Sequence, residues 1–110
     1  MKQREIWFAN LNPTKGREQS GIRPVVILSG NSLNDHLDIC IVCPLTSKVK
    51  HYAGCVLLKK DKVNGLKEDS EIITFQIRAI SKQRLTKKIG EITVEQLRRL
   101  KEGLIEIIHY

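Results

Sequence analysis

Along most of this chain the apolar residues fall in short runs, and the pattern changes period only once, near its end. Glu5–Ala9, Pro24–Ser29, Leu37–Pro44, Gly54–Leu58 and Glu71–Ile77 are each rich in β-branched or aromatic residues and bounded by Gly, Asn, Asp, Pro or Lys. Such runs read as strands between turns, and Lys88–Ile92 fits a further short one. The spacing points to a small antiparallel barrel or sandwich rather than to βαβ units. In "TVEQLRRLKEGLIEIIHY" the spacing switches: Val94, Leu97, Leu100, Leu104, Ile107 and Ile108 recur at three- and four-residue steps. That period predicts one amphipathic helix laid on the sheet, with Thr93 and Gln96 as a capping box at its start. Gly103 is expected to weaken the helix modestly, and Arg98, Arg99 and Lys101 to form its solvated face.

A chain of 110 residues sustains one modest core, so a single domain over 1–110 is expected. With 41% apolar and 28% charged residues the composition is that of a folded domain rather than a disordered one. Lys and Arg number 19 against 12 Asp and Glu, a formal net charge of +7. Such a balance favours a polyanionic partner through steering and counterion release, although charge alone does not separate that from simple solubility. No apolar run reaches the length of a membrane span, and "MKQREIWFAN" lacks a signal-peptide core, so a cytoplasmic chain without membrane contact is expected. Cys40 and Cys43 form a C-x-x-C, but inside the strand-like "DICIVCPL", where residues three apart point to opposite faces. Core thiols are expected there, not a zinc or redox site.

The segment "NLNPTKGREQSG", residues 10–21, has no strand character and carries Arg17, Glu18, Gln19 and Ser20 just ahead of Arg23. Taken alone it suits a surface loop as well as a site. Then "GIRPVVIL" sets a guanidinium at the mouth of an aliphatic run. Pro24 confines Arg23 to extended conformations, and the run after it anchors that backbone in the core. The strand mouth thereby pre-orients a permanently charged planar fork, the shape that grips phosphate oxygens bidentately.

In order along nearly the whole chain, "EIWFANLNPTKGREQSGIRPVVILS", "VCPLTSK" and "ITFQIRAISKQRLTKKIGEIT", followed by the final helix, resemble the PemK/MazF family of toxin endoribonucleases. The resemblance implies an SH3-like β-barrel with a C-terminal helix, acting as a homodimer. It implies cleavage of single-stranded RNA (mRNA) at a short sequence with no metal or other cofactor, and inhibition by a cognate antitoxin. It marks Arg23 and Thr46 as catalytic.

Metal-free cleavage sets three demands: a 2′-OH must lose its proton, the phosphorane needs donors for its oxygens, and the 5′-oxygen needs a proton as it leaves. Arg23 suits the second demand. The neutral hydroxyl of Thr46 is a poor base, so it is expected to bind the scissile phosphate or orient the 2′-OH, with Ser47 assisting. Gln19 and Ser20 are expected to contact RNA, Arg17 and Lys48 (with Lys50) to bind phosphates, and Gln76 to hold the site from a neighbouring strand. Arg78 suits a carboxylate partner as well as RNA. Some members carry a histidine where this chain has Arg17 and an acid where it has Phe75. The base is therefore sought elsewhere: in Glu18, which suits a salt bridge equally, or in water. His36, His51 and His109 lie outside the matching motifs. Trp7 and Phe8 are read as core or interface residues, and an aromatic content of 5% argues against extensive base stacking. Two other readings stand beside this one: a non-catalytic RNA- or ribosome-binding barrel, and a gyrase-poison type of toxin on a similar fold.

Overall fold

The computed structural model describes residues 1–12, 16 and 21–109. Its strands are β1 (Glu5–Asn10), β2 (Ile22–Ile27), β3 (Ile39–Thr46), β4 (Val56–Leu58), β5 (Ser70–Ile72), β6 (Arg78–Ser81) and β7 (Leu85–Glu91). A short helix α1 (Asn31–His36) joins β2 to β3, and α2 (Val94–Ile108) closes the chain. The sheet runs β4-β5-β3-β2-β1-β7, with β6 also paired to β3, and every pairing is antiparallel. Two register shifts in the β1–β7 ladder add local twist and help curl the sheet. The β4–β5 connection reaches the far edge, where Glu91 N–H donates to the Val63 carbonyl at 3.0 Å. Contact there is so close that a Cβ on Gly90 would lie 2.3 Å from the Asn64 backbone.

Alternation along β2 and β3 builds two cores. Val26 and Cys43 join Ile6, Leu45, Ile72, Leu97 and Leu100 on one side, while Val25, Ile27, Cys40 and Val42 join Ala9, Leu11 and Ile80 on the other. Cys40 and Cys43 thus fall into different cores, as a three-residue spacing in a strand requires. Both are buried and free, and burial, with Cys55 nearby, pushes the Cys43 thiol up to about 12.

Helix α2 begins as expected. The Thr93 hydroxyl accepts from Gln96 N–H at 3.0 Å and the Gln96 side chain accepts from Thr93 N–H at 2.8 Å. Leu97 and Leu100 are buried, but Val94 and Ile108 are exposed, so the apolar stripe is narrower than its spacing suggests. On the solvated face Arg98 pairs with Glu95 and Glu102. Among the described residues no helix is long and apolar enough to cross a membrane.

The run expected as one strand over Glu71–Ile77 is divided. β5 ends at Ile72, a 3₁₀ turn covers Thr74–Gln76, and β6 begins at Arg78. The reason is β3, whose last residues pair with β5 while its first residues pair with β6. Between the Leu45–Ile72 and Val42–Arg78 pairs this run has five residues against two of β3, and the turn takes up the excess. Helix α1 was not anticipated either; buried Asn34 secures it by accepting from the Ser29 hydroxyl at 2.5 Å and donating to the Ser29 carbonyl at 2.8 Å.

Candidate active site

Strand β2 pairs with β1 from Ile22 to Val26, but with β3 only from the Val25–Pro44 pair onward. Beyond Pro44, β3 changes partner: Leu45 pairs with Ile72 and Thr46 with Glu71 on β5. The sheet splits at this point, helped by Pro24, whose position faces β3 but has no N–H to offer it. Continuing the β2–β3 register by two residues brings Arg23 level with Thr46. A cleft of about 960 Å³ opens beside the split. Phe8, Arg23, Pro24, Leu45, Ser47 and Ser70 help to line it, with Lys67, Glu68, Lys87 and Lys88 on its walls.

Arg23 is the second residue of β2, paired with Ala9, rather than the residue just before the strand. Ser47 reaches the cleft wall. Thr46 stands immediately behind it, buried at the end of β3. Its hydroxyl accepts from Lys48 N–H at 3.1 Å, so the oxygen turns the chain and keeps its proton to donate. Lys48 and Lys50 are exposed on the loop that follows. Gln76 sits on the 3₁₀ turn instead of a strand, half-buried. Arg78 opens β6 opposite Val42, with its Nη1 buried and lacking a hydrogen-bond partner among the described residues. The expected residues Arg17, Glu18, Gln19 and Ser20 lie outside the described residues.

Residues on either side of that segment are tied together. Leu11 N–H donates to the Gly21 carbonyl at 2.9 Å, Gly21 N–H donates to the Asn12 side chain at 3.0 Å, and Arg84 donates to the carbonyls of Asn10 and Asn12. These ties bring the loop back to the chain directly ahead of Arg23.

Sequence reasoning missed Lys67, Glu68, Lys87 and Lys88, which come from the β4–β5 connection and from β7. Only the Phe8–Lys87 register and the curl of the sheet bring them to the cleft, so no local motif marks them. Lys88 forms an ion pair with buried Glu5 at 3.0 Å, and Glu5 also accepts from Trp7 Nε1 at 3.0 Å and Lys2 N–H at 2.8 Å. Burial works to raise the Glu5 carboxyl, but these bonds together hold it below the ordinary carboxylate range. Lys67 and Lys87 make no ion pair among the described residues. Arg23 and three lysines thus face a single carboxylate on the described cleft wall, a field that attracts a polyanion. His36, His51 and His109 are exposed and line no part of it.

Residues 2–108 match the family described as PemK-like, MazF-like toxin of type II toxin-antitoxin system. The chain belongs to this family. The endoribonuclease EndoA of Bacillus subtilis is 34% identical over 94% of this chain and 90% of its own length. Endoribonuclease MazF of Staphylococcus saprophyticus is 30% identical over 94% of this chain and 88% of its own. Among solved structures, the Mycobacterium tuberculosis toxin MazF-mt6 superposes with a TM-score of 0.82 at 27% identity, covering 96% of this chain and 97% of that one. The curled antiparallel sheet with one C-terminal helix is therefore the fold of MazF toxins, as the sequence motifs led one to expect.

Proposed function

We propose that this MazF-type protein is a toxin endoribonuclease that cuts single-stranded mRNA at a short sequence without metal, leaving a 2′,3′-cyclic phosphate and a 5′-OH. The observation that carries this reading is the split between β2 and β3, with Arg23 and Ser47 on the wall of one cationic cleft and Thr46 buried just behind it. Arg23 binds the non-bridging oxygens as charge gathers on them, and Thr46 and Ser47 hold the scissile phosphate or the 2′-OH. Lys67, Lys87 and Lys88 bind flanking phosphates, which adds affinity but little sequence information. Glu68 is the one carboxylate on the described wall; it takes the proton of the 2′-OH, and the 5′-oxygen takes up a proton from water as its bond to phosphorus breaks.

The enzyme works as a cytoplasmic homodimer, and an acidic antitoxin segment inhibits it by folding into the cationic groove. Family membership supports the first point, and family membership with the sign of the cleft supports the second. The test is incubation of purified protein with single-stranded RNA in excess chelator, followed by analysis of the new ends. Cyclic phosphate and 5′-OH products that vanish with Arg23→Ala support the proposal. Intact RNA with a mobility shift would make the chain a binder, and growth arrest through DNA damage would make it a gyrase-type toxin.

A further inference from the structure

Behind the cleft, Glu71 is almost completely buried, 1% exposed, beside Thr46 on the neighbouring strand. One of its carboxylate oxygens accepts from Lys50 N–H at 3.0 Å and the other from Tyr52 N–H at 3.1 Å. His51 between them has φ 56°, in the left-handed region. Two N–H groups converging across such a residue form a concave anion site, and here the anion is an internal side chain. The loop leaving Thr46 is thus wrapped around a fixed charge rather than free to drift.

What the wrapped loop presents is Tyr52, whose ring meets Phe75 edge to face with centroids 5.2 Å apart. Each is 48% exposed. Phe75 is braced in turn, because Ile73 N–H donates to the Pro44 carbonyl at 2.9 Å and the Thr74 hydroxyl donates to the Gly54 carbonyl at 3.1 Å. Exposed lysines, Lys48 and Lys50, sit on the same loop. Rigid, half-exposed aromatic rings next to cations form the surface on which an unpaired base stacks while its phosphates find counter-charges.

We propose that Tyr52 and Phe75 form a stacking platform for one base of the RNA strand flanking the scissile phosphate, with Glu71 as the positioning residue that holds it. The inference rests on the RNA-cleaving reading above and adds where a base is gripped. Stacking adds affinity at one position with little preference among bases.

The experiment measures binding of an uncleavable RNA, 2′-deoxy at the scissile nucleotide, with an abasic substitution walked through each position. Wild type, Tyr52→Ala, Phe75→Ala and Glu71→Gln are compared by fluorescence anisotropy. In wild type, loss of one flanking base should weaken binding by about 5- to 100-fold. That position-specific loss should disappear in Tyr52→Ala and Phe75→Ala. It should shrink in Glu71→Gln, whose amide leaves one of the two N–H groups facing another donor. Undiminished base dependence in the aromatic variants overturns the platform, as does a change of sedimentation in Tyr52→Ala, which would make the pair a contact between copies. If Glu71→Gln fails to fold, the two aromatic variants decide the matter, since their side chains lie at the surface. Wild-type protein that neither binds nor cuts RNA would instead remove the functional reading itself.

Discussion

Gly103 in α2 rests directly on the backbone of Gly54: a Cβ on Gly103 would stand 1.9 Å from the Gly54 carbonyl oxygen. In an isolated helix alanine would be the better residue by about 1 kcal/mol. Here the sign reverses, because the oxygen that must move is backbone, in a loop whose Thr74 bond helps brace Phe75. Gly103→Ala should lower stability by about 1–3 kcal/mol, visible as a fall in urea midpoint. An unchanged or raised midpoint would show that the helix can lift without cost.

Arg23→Ala should leave the melting temperature within a few degrees of wild type and reduce RNA cleavage by at least about 10²-fold. Arg23→Lys should recover only part of the rate, since an ammonium cannot bind two phosphate oxygens in one plane. Single-turnover cleavage of a short RNA measures both. Full activity in Arg23→Lys would mean that charge alone suffices.

Thr46→Ser keeps the hydroxyl that accepts from Lys48 N–H and should cut RNA at close to the normal rate. Thr46→Ala should lose about 10²-fold in rate and also about 0.5–1.5 kcal/mol of stability as the turn loosens. Measuring rate and urea midpoint on the same preparations separates these effects. Normal cleavage by the alanine variant would end any role for Thr46 in the reaction.

The double variant Lys67→Ala, Lys87→Ala should raise KM severalfold while leaving kcat within about twofold, the pattern of uniform binding lost. Two phosphate contacts fewer should also flatten the slope of log affinity against log salt by about 1.4 for a single strand. A salt titration of binding with the uncleavable RNA reads this directly. An unaltered slope would place the RNA elsewhere on the surface.

Glu5 carries a depressed carboxyl in the folded protein, so the unfolded chain takes up its proton first as pH falls. The stabilisation is present above the unfolded value and is lost as pH drops through the folded one. Urea unfolding of wild type and Glu5→Gln should therefore show a gap at neutral pH that closes on acidification. A gap independent of pH would assign the effect to packing rather than to charge.

Much of the architecture could be read from local pattern. The runs at Glu5, Pro24, Leu37, Gly54 and Lys88 each overlap a strand, and Thr93 with Gln96 marks the start of α2. Period and capping act within a few residues, so they are visible in one dimension. The break after Ile72 and the helix at Asn31 were not legible, because the first answers to the two partners of β3 and the second to a single buried asparagine. For the site, Arg23 and Ser47 line the cleft, while Thr46 lies just behind the wall. Lys67, Glu68 and Lys87 carry no motif of their own.

By itself, then, the amino-acid order determined a small antiparallel barrel or sandwich with one closing helix, thiols divided between two cores, and an arginine held extended by the proline after it. Those features follow from alternation, capping and the restricted φ of proline, all short-range. Tertiary structure alone decided that β3 would change partners at Pro44, that lysines from the far edge would line the opening, and that Glu71 would grip the loop beneath Tyr52. Each depends on residues far apart in the chain, and their meeting is fixed only when strand pairing and the curl of the sheet bring those backbones together.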